Sequence, residues 1–312
     1  MTDLIVSQRD KFSDPYTTAD GQPRAQVPLV ALRTLWFCTG TLCNLACGNC
    51  YIESSPTNDR LTYLTCAEVQ RFLDEVEQLG LGTREIGITG GEPFMNPEII
   101  DMLRAALARG FEVLVLTNAM KPMTRLAQPL LALRDRYGDR LTLRVSLDHY
   151  RGDRHEQERG PRSWEPALAG LQWLSGEGFR VHVAGRSLWD EDESSMRRGF
   201  RALFAAQGIA IDADDPQALV LFPEMAPGGD VPEITVACWD LLGVSPRDIM
   251  CASSRMVIKH KGATEPVVAA CTLLPYEPEF NLATTLADAL APVQLNHEHC
   301  ATFCVLGGGS CS

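Results

Sequence analysis

Between residues 31 and 225 the chain interleaves six apolar, β-rich runs with amphipathic stretches of helical period. No other feature limits its fold as tightly. The runs are Leu32–Cys38, Arg84–Thr89, Glu112–Thr117, Leu141–Leu147, Arg180–Ala184 and Ala218–Phe222. Most are near-continuous rather than alternating, as expected of strands covered on both faces. The helical segments have readable ends. Thr65 followed by Glu68 is a capping-box signature, after which Phe72, Val76 and Leu79 recur at helical spacing. Asn96-Pro97 opens a second helix that Gly110 closes, and Met123–Tyr137, Ser163–Gly176 and Asp192–Gln207 are the later ones. Strand and helix repeated in this way require parallel strands joined by crossover helices. Six units fall short of the eight in a closed barrel, so the expected fold is α/β, an open partial (β/α)6 barrel. Chemistry is then expected where loops leave the C-terminal ends of the strands.

Past residue 225 the pattern changes. Pro227-Gly228-Gly229 breaks the chain, and a Cys-rich segment with short apolar runs follows. The expected division is an N-terminal extension (1–30), the barrel (31–225) and a small C-terminal Cys-rich region (226–312). Composition excludes several classes. With 45% apolar and 22% charged residues the chain is globular rather than disordered. It has no run of about 18 apolar residues, which argues against a membrane span. The polar Met1–Gln26 segment lacks an apolar signal core, so a cytoplasmic location is expected. A net charge of −12 argues against a nucleic-acid partner.

The cysteines stand apart from this ordinary composition. There are 11, an odd number, so full internal pairing is impossible. Cys38, Cys43, Cys47, Cys50 and Cys66 lie near the start, and Cys238, Cys251, Cys271, Cys300, Cys304 and Cys311 in the last quarter. Two thiol-rich ends around a thiol-free middle favour metal or iron–sulfur ligation over disulfides. Cys43, Cys47 and Cys50 form a Cys-x3-Cys-x2-Cys motif in the loop after the first strand. Three thiolates that close together can wrap one face of an inorganic cluster. A cubane usually takes four, so three leave one iron open to other chemistry. A zinc site with a distant fourth ligand would use the same spacing.

The motif resembles that of the radical SAM superfamily, and the resemblance extends to Gly90-Gly91-Glu92-Pro93 at the end of the second strand. It implies a TIM-like partial barrel and an enzyme with two cofactors, a [4Fe–4S] cluster and S-adenosyl-L-methionine. The cluster would be held by Cys43, Cys47 and Cys50, with the cofactor's amino group at Gly90, Gly91, Glu92 and Pro93. Leu116-Thr117-Asn118 and Ser146-Leu147-Asp148 resemble the family's Thr-Asn-Gly and Ser-x-Asp-Gly, with Ala119 and His149 in place of the glycines. Asn118, Ser146 and Asp148 are thereby candidates for the ribose, and ordinary strand-end capping is the alternative for all three. Arg186 is a candidate for the cofactor carboxylate, since a guanidinium suits a planar carboxylate, with an ordinary surface arginine as the alternative. Asn49 stands where the family has an aromatic residue, so adenine stacking passes to Tyr51, with a core position for Tyr51 as the alternative. The implied chemistry is reductive cleavage of the sulfonium to a 5′-deoxyadenosyl radical that takes hydrogen from an unidentified peptide, protein or small-molecule substrate, an oxidoreductase-type activity. It needs an electron donor such as a flavodoxin or ferredoxin. An iron–sulfur electron-transfer or redox-sensing protein that does not cleave the cofactor is the competing reading.

Cys251 and Cys271 flank an apparent hairpin, and Cys300-x3-Cys304 follows a helical pattern around Ala283–Leu290. Four thiols from two segments suit a closed site. The region resembles the SPASM/Twitch auxiliary-cluster region, which implies a second [4Fe–4S] cluster on Cys251, Cys271, Cys300 and Cys304. Structural zinc, with His297 or His299 as substitutes, and unligated thiols remain the alternatives. Cys38, Cys66 and Cys238 read as buried small apolar residues. Cys311 could replace one of the four ligands, protect the cluster, or stay free. His155 and Arg159, beyond the fourth strand, read as exposed loop residues.

Overall fold

A computed structural model describes residues 10–223 and 230–309. Its strands are β1 (Gln26–Val27), β2 (Thr34–Cys38), β3 (Glu85–Thr89), β4 (Glu112–Thr117), β5 (Leu141–Ser146), β6 (Arg180–Ser187), β7 (Leu219–Pro223), β8 (Ser254–Ile258), β9 (Val267–Ala269), β10 (Asn281–Ala283) and β11 (Val293–Gln294). Nine of them make one sheet in the order β10-β9-β8-β2-β3-β4-β5-β6-β7. Pairing is parallel from β8 through β7 and antiparallel for β8 with β9 and β9 with β10. Among the described residues β7 and β10 remain edges, so the barrel is open.

The continuity of the apolar runs has a simple cause. Leu35, Phe37, Ile86, Ile88, Val113 and Val115 face the helices, while their neighbours Trp36, Cys38 and Leu114 join a second apolar cluster with Met256 and Ile258. Successive side chains point to opposite faces, and both faces are covered. Trp36 lies so close over Gly87 that a Cβ there would sit 2.3 Å from its ring.

The helices are α1 (Cys66–Leu79), α2 (Ile99–Ala108), α3 (Lys121–Thr124), α4 (Ala127–Tyr137), α5 (Gly152–Arg159), α6 (Trp164–Gly176), α7 (Glu193–Gln207) and α8 (Cys238–Leu242). The capping box at α1 forms in full, with Thr65 Oγ1 accepting from the Glu68 amide and Glu68 from the Thr65 amide. The single helix expected over Met123–Tyr137 is two. Pro129 has no amide proton and fits only the first turn of a helix, so α4 starts afresh at Ala127. Helix α5 was invisible to periodicity because its buried residues are His155 and Glu158, both polar.

The C-terminal region departs from expectation in two places. The expected β8–β9 hairpin forms, but β8 also pairs in parallel with β2, so the region extends the barrel sheet. The helical pattern around Ala283–Leu290 is instead strand β10 and a 3-10 turn at Ala287–Ala289. The N-terminal segment packs on this region through the antiparallel pair β1–β11 and a buried ion pair between Arg24 and Glu233. The division expected at 225–226 and the Pro227-Gly228-Gly229 break lie on or next to residues outside the described set.

Helix α6 lies against the turn after β4 so closely that a Cβ at Gly170 would meet the Ala119 carbonyl oxygen at 1.8 Å. Neither backbone can retreat without moving a packed element. Gly170→Ala is therefore expected to destabilise the fold by about 1–3 kcal/mol. Urea unfolding would read this as a lower midpoint with an unchanged slope. An unmoved midpoint would place α6 elsewhere.

Candidate active site

The loop leaving β2 is pinned to the loop leaving β3 by backbone alone. Gly91 N donates to Gly40 O (2.9 Å) and Glu92 N to Leu42 O (3.2 Å). A Cβ at Gly90 would meet Gly40 O at 2.6 Å, and one at Gly91 would meet Leu42 O at 2.3 Å. Gly90 also has φ +143°, a region that favours glycine. The twin glycines are thus required by close backbone approach, and that approach sets where Cys43 begins.

One cavity opens at the C-terminal ends of the barrel strands. Cys43, Cys47 and Cys50 line it, together with Gly90, Gly91, Asn118, Ser146, Asp148, Arg186 and Tyr51. Ten of the twelve residues expected to hold the first cluster and its cofactor converge there on the wall of one site.

 Of the residues expected at this site, the two outside the lining are Glu92 and Pro93.

The Glu92 side chain is buried beneath the wall. It accepts from Thr117 Oγ1 (2.9 Å), the Asn118 amide (2.9 Å) and the Phe94 amide (3.2 Å). Burial pushes its carboxyl up to about 7, against the pull of those three donors. Glu92 therefore ties the β3 turn to the end of β4, and Pro93 starts the buried 3-10 turn behind it. Asn118 in turn donates to Asn44 Oδ1 (2.9 Å) inside the thiol loop.

The far wall is built from charge. Asp148 is fully buried and takes both oxygens' worth of Arg159, at 2.6 and 2.9 Å. Burial opposes the charge on Arg159, but Asp148 and the neighbouring thiols win and hold it firmly protonated. Glu158 accepts from the Asn49 amide (2.8 Å), Asn49 Nδ2 (2.9 Å) and Arg186 Nη1 (3.1 Å). Arg186 also donates to Asn49 O (3.0 Å). Asn49, which stands in place of an aromatic residue, is thus clamped between Glu158 and Arg186. Tyr51 lies on the cavity wall and is 38% exposed. Glu158 gave no sequence signal, because its helix has no apolar period. Arg159, expected as an exposed loop residue, is a wall residue. Cys38 is buried as expected but also lines the cavity, while His155 is buried edge-on to Trp164 and lies outside the lining.

The donor set fits an iron–sulfur cluster with a cofactor beside it. Burial pushes the Cys43 thiol up to about 12 and raises Cys47, and each feels the charge of Cys50. Thiols so desolvated need metal to become thiolates. Leu45 N donates to Cys43 Sγ and Ser54 N to Cys50 Sγ, at 3.4 and 3.3 Å, the kind of amide support that sulfur ligands receive.

A second, apolar pocket lies in the C-terminal region. Cys251, Cys271, Cys300 and Cys304 all line it, together with His299 and among Ile249, Leu273, Phe280 and Leu295. Burial pushes Cys251 up to about 12 and Cys300 well above the usual thiol value, and both feel Cys271. Cys300 and Cys304 sit on one π-helical turn, Cys300–Val305. Among the described residues no three His, Cys, Asp or Glu side chains are drawn together as tightly as a single metal ion requires. Thr272 and Phe303 line the first cavity while their neighbours Cys271 and Cys304 line the second, so the two sites share a wall. Cys311 lies outside the described residues.

Comparison with known proteins agrees with this geometry. The family model described as the radical SAM superfamily matches residues 38–193. The antilisterial bacteriocin subtilosin biosynthesis protein AlbA of Bacillus subtilis (strain 168) is 30% identical over 198 residues, covering 62% of this chain and 42% of that protein. The chain spans less than half the length of the first curated relatives it matches. Streptococcus suis SuiB bound to precursor peptide SuiA superposes with a TM-score of 0.58 at 12% identity, covering 84% of this chain and 64% of that one. Native anSMEcpe with bound AdoMet gives 0.57 at 13% identity, covering 85% and 82%. At such identities the structural likeness is one of fold.

Glu92 carries a pH signature of its own. The folded chain holds its proton more tightly than the unfolded chain, whose ordinary value is 4.5. Stability from this group is therefore fullest below about 4.5 and is lost as pH rises toward about 7, by about 3 kcal/mol in all. Urea titrations of the cofactor-free chain between these limits should show that slope, and Glu92→Gln should flatten it. Parallel curves for the two proteins would mean that the carboxyl is already ionised throughout.

Proposed function

The chain belongs to the radical SAM superfamily, and from that premise we propose that it is an enzyme that reductively cleaves S-adenosylmethionine at a [4Fe–4S] cluster. The observation that carries this is the convergence of Cys43, Cys47, Cys50 and the Gly90–Gly91 turn on one cavity. When bound, the cluster and the sulfonium supply one-electron cleavage of a carbon–sulfur bond and a 5′-deoxyadenosyl radical that takes hydrogen from substrate.

The chain's own residues bind and orient. Cys43, Cys47 and Cys50 serve as the iron ligands, and a three-thiolate set leaves one iron for the amino and carboxylate groups of the cofactor. The Gly90–Gly91 backbone borders the amino end. Asn118, Ser146 and Tyr51 supply polar and ring contacts from the wall. Arg186 supplies positive charge for a carboxylate while holding Asn49, and Asp148 acts through Arg159, which it orients. Glu92 is a positioning residue that fixes Asn118. Phe222, Met256 and Phe303 make the rest of the wall apolar, which helps exclude water from a reactive radical.

Residues 226–312 form the auxiliary region, with Cys251, Cys271, Cys300 and Cys304 around a second [4Fe–4S] cluster. The substrate is a peptide, a protein or a small molecule. The likeness to a bacteriocin biosynthesis protein supports the peptide class. The reductant is a one-electron donor such as a flavodoxin or ferredoxin. Among the described residues no helix is long and apolar enough to cross a membrane; a cytoplasmic location is part of the same proposal.

Anaerobic reconstitution should load about eight irons per chain. Dithionite with S-adenosylmethionine should then release 5′-deoxyadenosine. Changing Cys43, Cys47 and Cys50 together to Ala should abolish release and leave about four irons. Nucleoside release that survives this change would overturn the ligand assignment, and a loaded wild-type chain that releases none would favour an electron-transfer protein.

A further inference from the structure

Arg255, on β8, is 1% exposed, and its guanidinium is permanently charged. Buried cations normally face an acidic partner, as Arg24 faces Glu233 and Arg159 faces Asp148 in this chain. The acceptors of Arg255 are instead four backbone carbonyls. Nε donates to Ala289 O (3.1 Å), Nη1 to Cys251 O (2.6 Å) and Ser254 O (2.8 Å), and Nη2 to Ala291 O (3.1 Å). Carbonyl dipoles solvate the charge without neutralising it. The Nη1 bond to Cys251 O sets this charge against the segment that carries one of the four thiols of the apolar pocket.

We propose that Arg255 is the counter-ion of the auxiliary cluster, its fixed charge offsetting that of the thiolates and the metal–sulfur core they hold. The proposal rests on the reading of Cys251, Cys271, Cys300 and Cys304 as cluster ligands. It explains why a cation is buried with no carboxylate among its acceptors in the described residues. Four thiolates on a cubane leave a net anion in a pocket of low polarity, and reduction adds another negative charge to it. A nearby cation in such surroundings favours the reduced form and raises the potential. The bond to Cys251 O ties the charge to the ligand segment itself.

The test uses the full chain with Cys43, Cys47 and Cys50 changed to Ala, so that the auxiliary cluster alone gives a signal. Iron content and an electron-paramagnetic-resonance potentiometric titration are read for this protein and for Arg255→Gln and Arg255→Lys made in it. Arg255→Gln should lower the reduced-to-oxidised ratio at fixed potential about tenfold, ~59 mV for a one-electron couple. Arg255→Lys keeps the charge but cannot reach all four carbonyls, and should hold the parent potential. An unmoved potential in a fully loaded Arg255→Gln protein overturns the counter-ion role. So does a shift in Arg255→Lys equal to that in Arg255→Gln, which would mark Arg255 as a backbone brace. If Arg255→Gln fails to load, Arg255→Lys decides: loading at the parent potential supports the proposal, and failure to load overturns it. A parent protein that binds no iron overturns the auxiliary-cluster reading itself, and the counter-ion with it.

Discussion

The backbone ladder between the β2 loop and the Gly90–Gly91 turn is the constraint on which the rest of the site depends. Two amide-to-carbonyl bonds join segments that a single added Cβ at either glycine would drive apart. This contact decides where the chain stands when it reaches Cys43. Everything beyond it, the remaining two thiols and the Asn49 clamp, is positioned from that starting point. The glycines therefore have a structural reason for being where they are before any ligand is considered. The same closeness leaves their backbone on the cavity wall, where a ligand can approach it.

Electrostatics complete what the backbone starts. Desolvation is the largest influence on Cys43, Cys47 and Glu92, and in each it disfavours the charged form. The wall opposite supplies the compensating cations, Arg159 held by Asp148 and Arg186 held by Glu158. Both cations are fixed by carboxylates, so neither must reorganise to meet an anionic ligand. Metal binding to the buried thiols would release protons, and fixed cations lower the cost of the thiolates that remain.

The barrel was legible because its physics is local. Strands covered on both faces read as unbroken apolar runs, and all six expected strands form within a few residues of their expected limits. The thiol ligand candidates were legible because cysteine is scarce and its spacing is informative. What sequence reading missed depended on polar burial. Helix α5 buries His155 and Glu158 rather than an apolar stripe, so neither the helix nor the role of Glu158 and Arg159 showed in periodicity. Glu92 was legible as part of a motif, but its direction was not. Its donors come from Thr117 and Asn118, on another strand's end, and only the fold brings them together.

The same reasoning explains why the C-terminal region is better regarded as part of the barrel's wall than as an appendage. Strand β8 lies in register along β2, the strand that leads into the first thiol loop, and places Met256 beside Trp36 and Cys38 on the cavity. Thr272 and Phe303 reach the same cavity from segments whose preceding or next residue is a thiol of the apolar pocket. A shift of the Cys271 or Cys304 backbone would therefore be felt directly on the wall of the first site. A group bound to the thiols of the apolar pocket would hold both segments at once and would act on the first site through the shape of that wall.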